Sequence, residues 1–131
     1  LNKLSNIFEK YAIENIEDMN DQKIFKYKNA PFRAPMVIVL VSSIKEHHKV
    51  PAIEQMLSTA AAAQNILLAL HALDYSAIWR TGVFALNDKI GKYFSLNSNQ
   101  KVLGYLYIGK SAIEPKKIPE VDIEKYITRW K

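Results

Sequence analysis

From Pro51 to Asp74 the chain has almost no polar face: Ala60 to Ala63 wrap every side of a helix, and Ile66, Leu67, Leu68, Ala69 and Leu70 continue them. Pro51 suits a first helical position, and Glu54 stands near the positive end of the helix dipole. At about 1.5 Å per residue such a helix spans on the order of 36 Å, enough to cross a domain. A helix that is apolar all round must be covered all round. In a chain of 131 residues it is either an ordinary central core helix or one whose outer face meets a second copy of the chain, the alanines permitting close approach. Ser58, Thr59, Gln64, Asn65 and His71 interrupt the stretch and would be costly in lipid, so no membrane span is expected.

The flanking segments supply the covering layers. Met36 to Val41 is a β-branched, uncharged run without alternation, which reads as a central strand buried on both faces and calls for an α+β or α/β sandwich. Leu4, Ile7, Phe8 and Tyr11 recur at helical spacing over Leu1 to Ile13, and Ile24, Phe25 and Tyr27 repeat the pattern over Asp21 to Lys28. Tyr75 to Thr81 predicts a short strand, Asn87 a cap for a helix over Asp88 to Phe94, and Val102 to Ile108 a second confident strand. Gly104 within it either admits a close neighbour or marks a bulge. Beyond Lys110, Pro115 and Pro119 suit an extended arm that could pack on a partner through Tyr126, Ile127 and Trp130. No composition break divides the chain, so residues 1–131 are expected to form a single domain.

Chemistry can be narrowed by exclusion. The absence of cysteine removes disulfides, thiolate nucleophiles and cysteine-based metal sites, and mildly favours a reducing, cytoplasmic setting. His47 and His48 are adjacent and His71 is distant, so no metal site is expected. The serines lack a G-x-S-x-G frame, and no G-x-G-x-x-G occurs. Gly104 to Ser111 matches the letters of a phosphate-binding loop, but strand formers fill its middle. The charge of +5 is scattered, and the basic and aromatic mixture Lys23, Phe25, Lys26, Tyr27, Lys28 fits a solvated amphipathic helix better than a nucleic-acid surface. Glu54-Gln55 could set a carboxylate beside a site, although dipole-favoured placement accounts for it more simply. What remains is Ser76-Ala-Ile-Trp-Arg-Thr-Gly82. It joins Trp79 for stacking or walling, Arg80 for an anionic ligand, and backbone N–H groups for a polar ring edge. A core tryptophan beside an exposed arginine explains the same residues slightly better on composition alone.

Taken together, Asn29-Ala-Pro-Phe-Arg-Ala-Pro35 before an apolar strand, His48-Lys-Val-Pro51 with Glu54-Gln55, Ala63-Gln-Asn-Ile-Leu-Leu-Ala69, Ile78-Trp-Arg-Thr-Gly82 and Gly104-Tyr-Leu-Tyr-Ile-Gly109 resemble the nitroreductase family, above all its small members. The resemblance implies an α+β, three-layer sandwich with a central mixed sheet and a long buried helix at a homodimer interface, with FMN sites shared between subunits. It implies that Trp79, Arg80, Thr81 and Gly82 contact FMN, the Thr81 and Gly82 backbone lying near the reactive edge of the flavin. Ala69, Leu70, His71, Ala72, Leu73 and Asp74 form the segment that would meet NAD(P)H. The implied chemistry is ping-pong: hydride from NAD(P)H to FMN, then reduction of a nitroaromatic, quinone or similar acceptor, with no catalytic side chain required because the cofactor performs the redox step. The family's opening Arg-Arg-Ser-x-Arg segment has no counterpart here, which implies either a chain missing its N-terminal portion or a naturally shortened relative, and the first is the expectation. A catalytically silent dimeric binding protein of the same fold is the alternative.

Overall fold

The structure, a computed structural model, describes residues 1–113 and 117–130; Pro115 of the expected arm lies outside them. The spacing of Leu4, Phe8, Tyr11 and Ala12 buries one stripe of helix α1 (Asn2–Asn15). Helix α2 (Asp21–Lys28) begins where the Asn20 side chain accepts a hydrogen bond from the Lys23 amide, and a 3-10 turn (Ala30–Arg33) leads into strand β1 (Met36–Ser43). Helix α3 (Ala52–Ala72) starts immediately after Pro51, and strand β2 (Ser76–Arg80) follows its C-terminal turn. A 3-10 turn (Gly82–Phe84), helix α4 (Asp88–Tyr93), strand β3 (Gln100–Gly109) and a last 3-10 turn (Ile123–Tyr126) complete the order.

The sheet order is β1-β3-β2, and both pairings are antiparallel. Two expectations change here. Among the described residues β1 is an edge strand rather than the central one, because β3, the last strand in sequence, inserts between β1 and β2. The sheet is therefore antiparallel rather than mixed among the described residues: β1 and β2 run the same way but never touch. Alternation divides the side chains between two layers. Val37, Val39, Val41, Val102, Tyr105 and Tyr107 pack with α1, α2 and α4, whereas Ile38, Leu40, Leu103, Leu106 and Ile108 pack under α3. The result is the α+β sandwich with helices on both faces. On the first face Phe8 stacks on Phe84 with ring centroids 3.9 Å apart and meets Tyr105 edge-on at 5.1 Å. Truncating a ring buried this deeply costs about 3–5 kcal/mol.

The second face is the informative one. Helix α3 lays Met56, Ala63, Ile66, Leu67 and Leu70 on the sheet, but Ala63 is its only buried residue, and Ile53, Leu57, Leu68 and Leu73 are all more than half exposed. A helix expected to be buried on every side is thus buried on one within the chain. The C-terminal arm repeats the pattern, with Ile118, Val121, Ile123, Tyr126 and Trp130 exposed. No helix among the described residues is long and apolar enough to cross a membrane.

Candidate functional site

Strand β2 presents two unlike faces. Ala77 and Trp79 are half-buried toward α3, while Ser76, Ile78 and Arg80 alternate with them and are exposed on the opposite side. The register sets Ile78 against Tyr107 and Arg80 against Tyr105, so these four share the sheet face on which α1 and α2 pack. The helices do not reach over β2, and a cavity of about 1060 Å³ opens there. Tyr27 and the turn before β1 form one wall, β2 and the Gly82–Phe84 turn another, and Lys110 to Ile113 a third. This is on the large side of small-molecule sites, which run to about 300–1,000 Å³.

Among the described residues the charge lining the cavity is of one sign: Lys26, Arg33, Arg80 and Lys110 border it, no described Asp or Glu does, and none of the four pairs with a described carboxylate. Such a set favours an anion, and guanidinium groups favour phosphate or carboxylate in particular. Burial pushes the Tyr107 hydroxyl above the ordinary phenol range, opposed by the nearby Arg33 and Arg80. It therefore stays protonated near neutral pH and can donate a hydrogen bond. Lys110 has a second engagement, donating to the Asp74 carbonyl at 2.6 Å and lying 4.2 Å from the centre of the Tyr75 ring. Gly82 adopts φ 57°, a left-handed turn that glycine makes without strain, and the space where a side chain would stand is open.

The structure brings Trp79, Arg80, Thr81 and Gly82 together on the cavity wall. It sets Ala69 to Asp74 elsewhere: Ala69, Leu70, His71 and Ala72 form the last turn of α3, Leu73 caps it, and Asp74 turns the chain at φ 58°. None of the six lines the cavity, and Lys110 through Asp74 is their link to it. Gln55 is structural, since its side chain bonds both the amide and the carbonyl of Lys45, and His47 accepts from the amides of Lys49 and Val50. Among the described residues no group of three or more metal-ligating side chains gathers. Sequence reading missed Lys26, Arg33, Tyr107 and Lys110 as site residues. The alternation of Tyr105 and Tyr107 in β3 was a signal that both face one side; nothing local marked the convergence of the cations.

The sequence profile of the Nitroreductase family matches residues 2–110. YdjA of Escherichia coli K12, whose name places it among NAD(P)H nitroreductases, is 36% identical over 107 residues, covering 82% of this chain and 57% of its own. A Haemophilus influenzae protein named in the same way is 32% identical over 110 residues, 83% of this chain and 59% of its own. The chain thus spans somewhat over half the length of these relatives. Among solved structures, a nitroreductase-like family protein of Bacillus cereus superposes with a TM-score of 0.72 at 18% identity, over 96% of this chain and 65% of that one. A nitroreductase of Bacteroides fragilis crystallised with FMN gives 0.62 at 18% identity, over 98% and 71%. The likeness to both structures is one of fold.

Proposed function

The chain belongs to the nitroreductase family, and from that premise we propose that its cavity is the chain's share of an FMN site in an FMN-dependent NAD(P)H oxidoreductase. The observation that carries this is the convergence of Lys26, Arg33, Arg80 and Lys110 on one large cavity that no acidic side chain lines among the described residues. Flavin mononucleotide combines an anionic phosphate with a broad polar ring, and these residues fit both. The cations neutralise the phosphate, Tyr107 donates to a ring or ribityl oxygen, and the open turn at Thr81 and Gly82 lets backbone approach the ring edge. Bound there, FMN would supply the redox chemistry, hydride transfer from NAD(P)H to a nitroaromatic, quinone or similar acceptor.

The chain's residues bind, orient and exclude water. Ile78 and Tyr107 floor the cavity, and Arg80 holds negative charge at its end. Donor and acceptor use the cavity in turn, which is the ping-pong scheme. The Ala69–Asp74 segment guides the nicotinamide from outside the cavity, and Lys110 ties that segment to the wall. The working protein is a homodimer in which the exposed face of α3 and the apolar arm are covered by the partner. The lack of cysteine is in keeping with a cytoplasmic setting.

The test is a visible spectrum of the protein, as this chain and in its full reading frame, after incubation with FMN and removal of free flavin. Retained flavin that bleaches with NAD(P)H and recovers on adding a quinone is expected. Retained flavin that NAD(P)H leaves oxidised would favour the catalytically silent binding protein, and no retained flavin in either form would remove the cofactor.

A further inference from the structure

Strand β2 pairs with β3 over Ser76–Arg80 and with nothing else among the described residues, and its last paired residue, Arg80, faces Tyr105. The next position on β3 is Gly104, which has φ 146° and no side chain. There the ladder to β1 also slips: Leu40 pairs with Gly104 but Val41 pairs with Val102, leaving Leu103 as the extra residue of a bulge. The sheet is therefore least braced where Arg80 must be held. Trp79 occupies this gap. A methyl group added at Gly104 would collide with the indole Nε1 and stand 2.7 Å from its Cδ1, so the ring rests directly on the glycine backbone. The same Nε1 donates to the Leu103 carbonyl at 3.2 Å. Trp79 pairs with Leu106 and packs among the residues beneath α3, across the sheet from Tyr105 and Tyr107.

We propose that Trp79 is a positioning residue for the ligand of the cavity. Its indole, lying diagonally over Gly104 and bonded to Leu103, locks the end of β2 to the bulged backbone of β3, and so fixes where Arg80 points and how the chain turns at Thr81 and Gly82. A large ring over a strand glycine is a known means of bracing a weak pairing. Here the brace and the cation alternate along one strand, brace on the α3 side and cation on the cavity side. The pair is also exclusive: an alanine at 104 would stand 2.8 Å from the Arg80 carbonyl as well as against the ring. The functional consequence rests on the cavity being the FMN site; the lock itself does not.

The experiment compares Trp79→Ala, Trp79→Phe, Arg80→Ala and the Trp79→Ala/Arg80→Ala double variant in the full reading frame. FMN affinity is read by quenching of flavin fluorescence, and amide hydrogen exchange is read without flavin. Trp79→Ala is expected to weaken FMN by about tenfold or more and to speed exchange at Arg80, Thr81 and Gly82, while amides of the Phe8 and Tyr105 core stay protected. Trp79→Phe recovers most of both effects. The double variant binds no more weakly than Arg80→Ala, because one residue acts through the other. Additive losses with unchanged exchange would overturn the proposal and make Trp79 a direct contact. A wild-type protein that takes up no FMN would instead overturn the flavin site; the lock then stands or falls on exchange alone, and unchanged exchange in Trp79→Ala removes it. Should Trp79→Ala not fold, Gly104→Ala presses on the same contact from the other side, and unaltered exchange there has the same meaning.

Discussion

Two tyrosines, two positions apart on one strand, show how placement assigns roles to like side chains. Tyr105 is buried and donates to the Phe84 carbonyl at 2.6 Å, whereas Tyr107 reaches the cavity between two arginines. Burial pushes the Tyr105 hydroxyl far above the ordinary value of 10, with the nearby Tyr107 and Tyr11 adding to the rise. The folded state therefore keeps a proton that the unfolded chain releases, so this stabilisation is whole below pH 10 and is lost as pH rises beyond it. Tyr105→Phe is expected to cost about 1–3 kcal/mol at neutral pH, because the Phe84 carbonyl loses its partner, and to flatten the fall in stability at alkaline pH. Urea titrations at pH 7 and above pH 10 measure both, and parallel falls for the two proteins would refute the assignment. At this scale the sequence was legible where residues that line the cavity are neighbours along the chain, as at Trp79–Gly82. It was silent on Lys26 and Arg33, which reach the cavity only because α2 and the turn after it fold back beside β2.

Helix α1 was readable from the spacing of Leu4, Phe8 and Tyr11, since one periodic stripe needs one surface to meet. The cap of α4 was readable too: the Asn87 side chain accepts from the Ile90 amide at 3.1 Å, and its amide group also donates to the Val83 and Ala85 carbonyls. Asn87→Ala is expected to destabilise the protein by about 0.5–2 kcal/mol, seen as a lower Tm, whereas Asn87→Asp should retain most of the cap. Strand β1 was misread as central, for a physical reason. A run of β-branched residues reports contact on two faces, and β1 has those contacts while one of its edges finds no strand among the described residues. Pairing order is decided by residues some sixty positions later, in β3, which no local pattern records.

At the scale of the whole molecule, two apolar surfaces stay uncovered among the described residues, the outer face of α3 and the arm. The all-round apolar character of α3 was plain in the sequence, but whether chain or partner covers it was not. Ala61 and Ala62 stand exposed on that helix, so a bulky residue there crowds nothing within the chain. Ala62→Trp is expected to leave the circular dichroism spectrum intact and to shift sedimentation from dimer to monomer, through overpacking at the interface; an unshifted dimer would move the interface off α3. The central property is a cavity lined by four cations, Lys26, Arg33, Arg80 and Lys110, and proposed to take FMN. Equilibrium dialysis against FMN, for the wild-type protein and an Arg33→Ala/Arg80→Ala variant in the full reading frame, tests it most directly. Flavin held by the wild type is expected, with a loss in affinity of at least about tenfold in the variant, the worth of roughly one charged hydrogen bond. Equal affinity in the two proteins would contradict it.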